Sequence, residues 1–95
     1  MKTLESKRID DLLRAILELR DQKEARAFFR DLLTESELIE ASKRWQAAKM
    51  LNDNISYTTI VNVTGLSSTT VARGSKWLQK GMGGYKLMMN RMQDH

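Results

Sequence analysis

The apolar positions of this chain recur mostly at helical spacing. Ile9, Leu12, Leu13, Ile16, Leu17 and Leu19 form one stripe, the i, i+3, i+4 pattern of a helix with one covered face. Thr3 or Ser6 stands where a cap for that helix belongs. Ala25, Phe28, Phe29, Leu32 and Leu33 predict a second helix. The chain then reads TESE at 34–37. Thr34 followed three residues later by Glu37 is a capping box, which opens a third helix. Leu38, Ala41, Trp45, Ala48 and Leu51 share its apolar face, and Asn52-Asp53-Asn54 stops it.

The next stretch pulls two ways. YTTIVNV and SSTTVA are rich in strand formers, and the TG between them could sit in a hairpin turn. Against strands stand two matched helix-start signals, a helix's length apart. Ser56 is an N-cap candidate flanked by Ile55 and Ile60, and Ser67 is one flanked by Leu66 and Val71. Each apolar pair has the spacing of a hydrophobic staple. Gly65 lies between, where a left-handed residue would end the first helix. Two short helices joined by a tight glycine turn make a helix-turn-helix, here over about residues 56–79. Ile60, Leu66 and Val71 then face the core, while Val61 falls where a smaller residue is commoner. A last helix follows GMGG at 81–84, with Tyr85, Met88, Met89 and Met92 on one face. Methionines there suit an adaptable core or subunit interface better than a cofactor site.

The pattern predicts an all-α chain. Its 95 residues fit one domain, 1–95, with a modest core that oligomerisation could extend. Cysteine is absent, which excludes disulfides and thiolate metal sites. The single histidine, His95, is the last residue and a poor ligand or base. The charged start, MKTLESKRID, is not a signal peptide, and no apolar run approaches the ~20 residues a bilayer span needs. A soluble, cytoplasmic protein with no membrane partner is expected. No Ser–His–Asp set, metal cluster or phosphate loop is visible, so neither an enzyme nor a bound cofactor is expected.

Charge changes the picture through its placement. The formal net charge is +4, and basic and acidic residues nearly balance over residues 1–50. Residues 54–93 contain no carboxylate at all, so a polyanion would meet no repulsive side chain there. A recognition helix enters the major groove with its early residues toward the base edges. Here that helix opens at Ser67, and its exposed early positions are Ser68, Thr69, Ala72 and, one turn on, Lys76. Hydroxyls can donate and accept, and Ala72 and the threonine methyls can meet a thymine methyl. None is a bidentate purine reader, which leaves weak or water-mediated base contacts. Tyr57 and Thr58, in the preceding helix's first turn, suit phosphate contacts, as do Lys76 and Lys80. The same hydroxyls could equally be caps and solvated surface.

LLTESELIEASKRWQAAKML followed by ISYTTIVNVTGLSSTTVARGSKWL resembles the Trp repressor superfamily, most closely the YerC/YecD-like branch of Trp-repressor-related proteins. LLT at 32–34, Arg44 and the TxxRGS pattern at 70–75 carry the resemblance, which covers about residues 32–92. It implies about six helices per chain in an intertwined homodimer. Two helix-turn-helix units would then face successive major grooves of a palindromic operator, with half-sites ~34 Å apart. It also implies a small-molecule pocket. Arg44 matches the arginine that stacks on the tryptophan corepressor's indole, and Arg73 the one that pairs with its carboxylate. Thr70 and Gly74 match pocket-lining positions, and Thr34 matches a threonine near the ligand. Trp77 stands where the family has a serine that contacts the ligand amino group, which adds volume and removes a polar partner.

Gly74 is a helix-interior glycine, about 1 kcal/mol less favourable than alanine. Trp77 lies on its side of the helix and could lean toward that space, stacking on Arg73. Three arrangements are open: Trp77 fills the inherited pocket, packs as ordinary core beside Leu78, or leaves a working tryptophan site. The leading expectation is a homodimeric, sequence-specific DNA-binding regulator, a repressor, for which L-tryptophan is not the corepressor. The alternative is a helical protein- or RNA-interaction module that keeps the fold without binding operators.

Overall fold

The computed structural model describes residues 3–93; Asp94 and His95 lie outside them. The described residues form six α-helices and no strand: α1 (Leu4–Leu17), α2 (Gln22–Leu32), α3 (Glu35–Asn52), α4 (Tyr57–Thr64), α5 (Ser68–Lys80) and α6 (Gly84–Gln93). The chain, read from sequence as one domain, divides into two compact units, Met1–Leu38 and Ile39–His95.

In the first unit, short-range capping sets the helix bounds. Thr3, not Ser6, caps α1: its side chain accepts a hydrogen bond from the Ser6 N–H at 3.0 Å. Asp21 caps α2 by accepting from the Glu24 N–H at 2.8 Å. Leu19 and Leu33, expected on the two helical stripes, fall just outside the helices. The Glu18 N–H closes the last turn of α1 on the carbonyls of Ala15 and Ile16. Leu33 is extended (φ −114°, ψ 150°) because the chain is already turning toward the next cap. There the capping box is reciprocal. Thr34 Oγ1 accepts from the Glu37 N–H at 3.1 Å, and Glu37 Oε1 accepts from the Thr34 N–H at 2.9 Å. These bonds favour the carboxylate form, and the Glu37 pKa is lowered, first by the backbone bond and then by the hydroxyl. No residue of α1 or α2 is buried, and Leu4, Ile9, Leu13, Leu17 and Leu32 are all exposed.

The second unit holds the core, in two clusters on either side of α3. Ala47 packs with Ile60, Leu66 and Val71 of the α4–α5 pair. Ala48 packs with Leu78 and Met89, toward the end of α5 and α6. Sequence spacing put Ala48, but not its neighbour Ala47, on the covered face of α3. Because neighbours approach from two sides, the buried stripe widens to include Ala47, and two small side chains permit the approach. Ala41, expected on that face, is exposed. The helix ends where expected, in a Schellman arrangement: Asn54 is left-handed (φ 61°), and the Ile55 and Asn54 N–H groups return to the carbonyls of Met50 and Leu51.

The helix-turn-helix is built by one device used twice. Ser56 Oγ accepts from the Thr59 N–H and donates to Thr59 Oγ1; Ser67 Oγ does the same with Thr70. Gly65 ends α4 in the left-handed region (φ 75°), where a side chain would be strained. Thr64 is buried and ties the turn together. Its hydroxyl donates to the Ile60 carbonyl at 2.7 Å and accepts from the Leu66 N–H at 3.2 Å. On α6 only Met89 is buried; Tyr85 is half-buried, and Met88 and Met92, expected on the same covered face, are exposed.

Candidate nucleic-acid interface and adjoining cleft

The first turns of α4 and α5 present the residues singled out for DNA contact. Tyr57, Thr58, Ser67, Ser68, Thr69, Ala72, Lys76 and Lys80 are all exposed. Their availability differs. The Ser67 hydroxyl is engaged as a cap, in both directions, with Thr70. The side-chain hydroxyls of Tyr57, Thr58, Ser68 and Thr69 make no hydrogen bond among the described residues, so they remain free for an external partner. Lys76 and Lys80 form no ion pair within the described chain. No carboxylate occurs from residue 54 to residue 93 to oppose an anion. The two serine caps leave some first-turn N–H groups of α4 and α5 unused, and these add partial positive charge at both helix starts.

Behind this face, α3, α5 and α6 enclose a cleft of about 100 Å³ lined by Arg44, Ala47, Leu66, Thr70, Arg73, Gly74, Trp77 and Tyr85. Arg44 is held loosely at 3.8 Å by Glu40 on the same helix, an exposed pair worth little. Thr70 accepts from Ser67 and keeps its own proton to donate. Five of the six residues assigned to an effector pocket thus line one space. The sixth, Thr34, belongs to the other unit, is absent from this lining, and spends its hydroxyl on the α3 cap. Ala47, Leu66 and Tyr85 were not anticipated there. Leu66 read only as core, Ala47 was given no role, and Tyr85 read as one residue of an apolar stripe. Its polar tip was the one available hint.

Trp77 departs from two sequence expectations. It is not core beside Leu78: Leu78 is buried, whereas Trp77 is 54% exposed. Nor does it stack on Arg73. The cation over an indole is Lys49, 5.5 Å from the centre of Trp45, which in turn packs against Tyr85 with ring centres 6.1 Å apart. Trp77 instead forms a wall of the cleft and, on its other side, of a wider apolar depression with Trp45, Met82 and Met88. Gly74 leaves its space open without steric need. A Cβ there would meet Leu51 Cδ1 at 3.7 Å, an ordinary contact.

Two short capped helices joined by a left-handed glycine and seated on a longer helix define a helix-turn-helix protein. The chain belongs to the Trp repressor family: the family's sequence profile, Trp repressor protein, matches residues 7–93. It is 33% identical over 91 residues to the protein YerC of Bacillus subtilis (strain 168), itself uncharacterised, covering 96% of this chain and 88% of that one. A TrpR-like protein from Eubacterium eligens ATCC 27750 has the same fold, with a TM-score of 0.88 and 36% identity over 95% of this chain and 93% of that one. A candidate Trp repressor from Staphylococcus aureus is similar, with a TM-score of 0.86 and 37% identity over 92% and 87% of the two chains. No helix among the described residues is long and apolar enough to cross a membrane.

Proposed function

We propose that this chain is a homodimeric, sequence-specific DNA-binding transcriptional regulator, acting as a repressor on a palindromic operator. One observation carries the reading. The capped first turns of α4 and α5 hold the unpartnered hydroxyls of Tyr57, Thr58, Ser68 and Thr69 on a helix-turn-helix with no carboxylate between residues 54 and 93. Lys76 and Lys80 supply cations for the flanking phosphates, and Ala72 lies beside Thr69 on the reading face. Homodimerisation is supported by α1 and α2, none of whose apolar residues is fully buried among the described residues.

The cleft supports regulation by something other than L-tryptophan. Its wall carries an indole at Trp77 where the resemblance places a small polar residue, and about 100 Å³ remains open. Arg44 and Arg73 make it a site for an anion. Selection of bound sequences from random duplex DNA, with and without amino acids, tests the reading. A palindromic site with half-sites about one helical turn apart is expected, with affinity that falls steeply as salt rises. Absence of enrichment at low salt would transfer the chain to the helical protein- or RNA-interaction class, which the exposed Trp77, Met82 and Met88 surface would suit.

A further inference from the structure

The reading face of α5 is unusual in what it omits. Ser68, Thr69 and Ala72 lie on one side of the helix at i, i+1 and i+4, and all are exposed. From the turn at Gly65 through Ala72 there is no Arg, Lys, Asn or Gln. The first arginine of α5, Arg73, lines the cleft behind the helix. The first lysine, Lys76, comes in its third turn. Guanine is read most strongly by a bidentate Arg or Lys and adenine by a bidentate Asn or Gln. The leading turns of α5 offer neither. They offer two hydroxyls without a partner among the described residues, which accept or donate to any base edge and so discriminate weakly, and two methyl groups, the Thr69 Cγ2 and the Ala72 Cβ. The one major-groove feature that a methyl group recognises selectively is the C5 methyl of thymine.

We infer that base selection by this protein rests on thymine methyl groups met by Thr69 and Ala72, rather than on hydrogen bonds to guanine or adenine. The inference rests on the DNA-binding reading and narrows it. The enriched half-site has T·A pairs at the positions under the start of α5, and the hydroxyl contacts there are shared with water. Because small side chains make shallow contacts, discrimination per base pair is modest, and phosphate contacts account for most of the affinity.

The test uses the full chain and a duplex recovered by selection from random DNA. Each thymine of the half-site is replaced in turn by deoxyuridine, which removes only the C5 methyl, and binding is followed by fluorescence anisotropy at fixed salt. One or two positions per half-site should lose about fourfold in affinity, the equivalent of ~0.8 kcal/mol for one buried methyl-sized group at ~1.4 kcal/mol per tenfold. Thr69→Ser, which keeps the hydroxyl and drops the methyl, should reproduce one of those losses on the thymine duplex. It should then show no further loss on the matching deoxyuridine duplex. If no deoxyuridine position weakens binding, or if the positions under α5 are enriched in G·C pairs, the methyl readout is overturned while DNA binding stands. If no duplex is enriched and no salt-dependent binding is found, the DNA-binding reading itself falls, and this inference with it.

Discussion

Thr64→Val tests whether the turn of the helix-turn-helix is held by one buried hydroxyl. The substitution preserves the β-branched shape and replaces Oγ1 with a methyl, so packing changes little, although the swap is not neutral for the polar groups around it. The Leu66 N–H, which now donates to Thr64 Oγ1 at 3.2 Å, would be left in a buried position without a partner. Stranding a buried donor costs about 1–3 kcal/mol. The bond donated to the Ile60 carbonyl is a back-bond from within the same helix, and its loss adds little. The extra buried methyl returns at most ~0.8 kcal/mol. The net expectation is a loss of about 1–2 kcal/mol, read from urea unfolding at matched protein concentration, so that any self-association contributes equally to both proteins. Thr64→Ser keeps both hydrogen bonds and separates the hydroxyl's role from the methyl's. Amide exchange at Leu66 gives a local readout: it should accelerate in the valine variant and not in the serine variant. A Thr64→Val protein as stable as the parent, with unchanged Leu66 exchange, would refute the reasoning.

Other substitutions probe the cap, the cleft and the interface. Gly74→Ala should raise stability by up to about 1 kcal/mol in urea unfolding, because helix propensity improves and the added Cβ makes only an ordinary contact with Leu51. At Gly81 a Cβ would collide with the Trp77 carbonyl oxygen, so Gly81→Ala should instead destabilise by about 1–3 kcal/mol. Thr34→Ala should cost about 1 kcal/mol through loss of the α3 cap. The Glu37 pKa is lowered on folding, so its contribution is complete above the ordinary carboxylate range and disappears as pH falls through the lowered value. The stability gap between the parent and Glu37→Gln, measured against pH, should therefore close on acidification. Trp77→Ser restores a small polar residue to the cleft wall. Calorimetry should show L-tryptophan binding in that variant and none at micromolar concentrations in the parent; micromolar binding by the parent would remove the case against tryptophan. Lys76→Ala should weaken binding to all duplexes about equally and reduce the magnitude of the salt-dependence slope by about one.

What could be read from sequence was the part governed by interactions within about four residues. Thr34 and Glu37 announced their capping box, and Ser56, Gly65 and Ser67 announced two helices and a left-handed turn despite the strand-forming composition around them. These signals act along the chain, so one dimension suffices to see them, and the TxxRGS run then pointed to the family. The apolar stripe of α1 was equally legible as a helix, but periodicity states only that a face needs covering, not what covers it.

Tertiary structure decided everything that depends on which helices approach one another. Ala47 joined Ala48 in the core because α3 is packed from two sides, which no single helical stripe can express. Met88 and Met92 stayed exposed although they share a helix with the buried Met89. Arg44, Arg73, Thr70 and Gly74 come from two helices, and only the packing of α3 against α5 and α6 makes a cleft of them and brings Tyr85 to its wall. Trp77 shows the division most plainly. Its identity and its place on α5 follow from sequence, while its half-exposed position as a wall between a cleft and an apolar depression follows from the balance of packing around it, a sum over contacts distant in the chain.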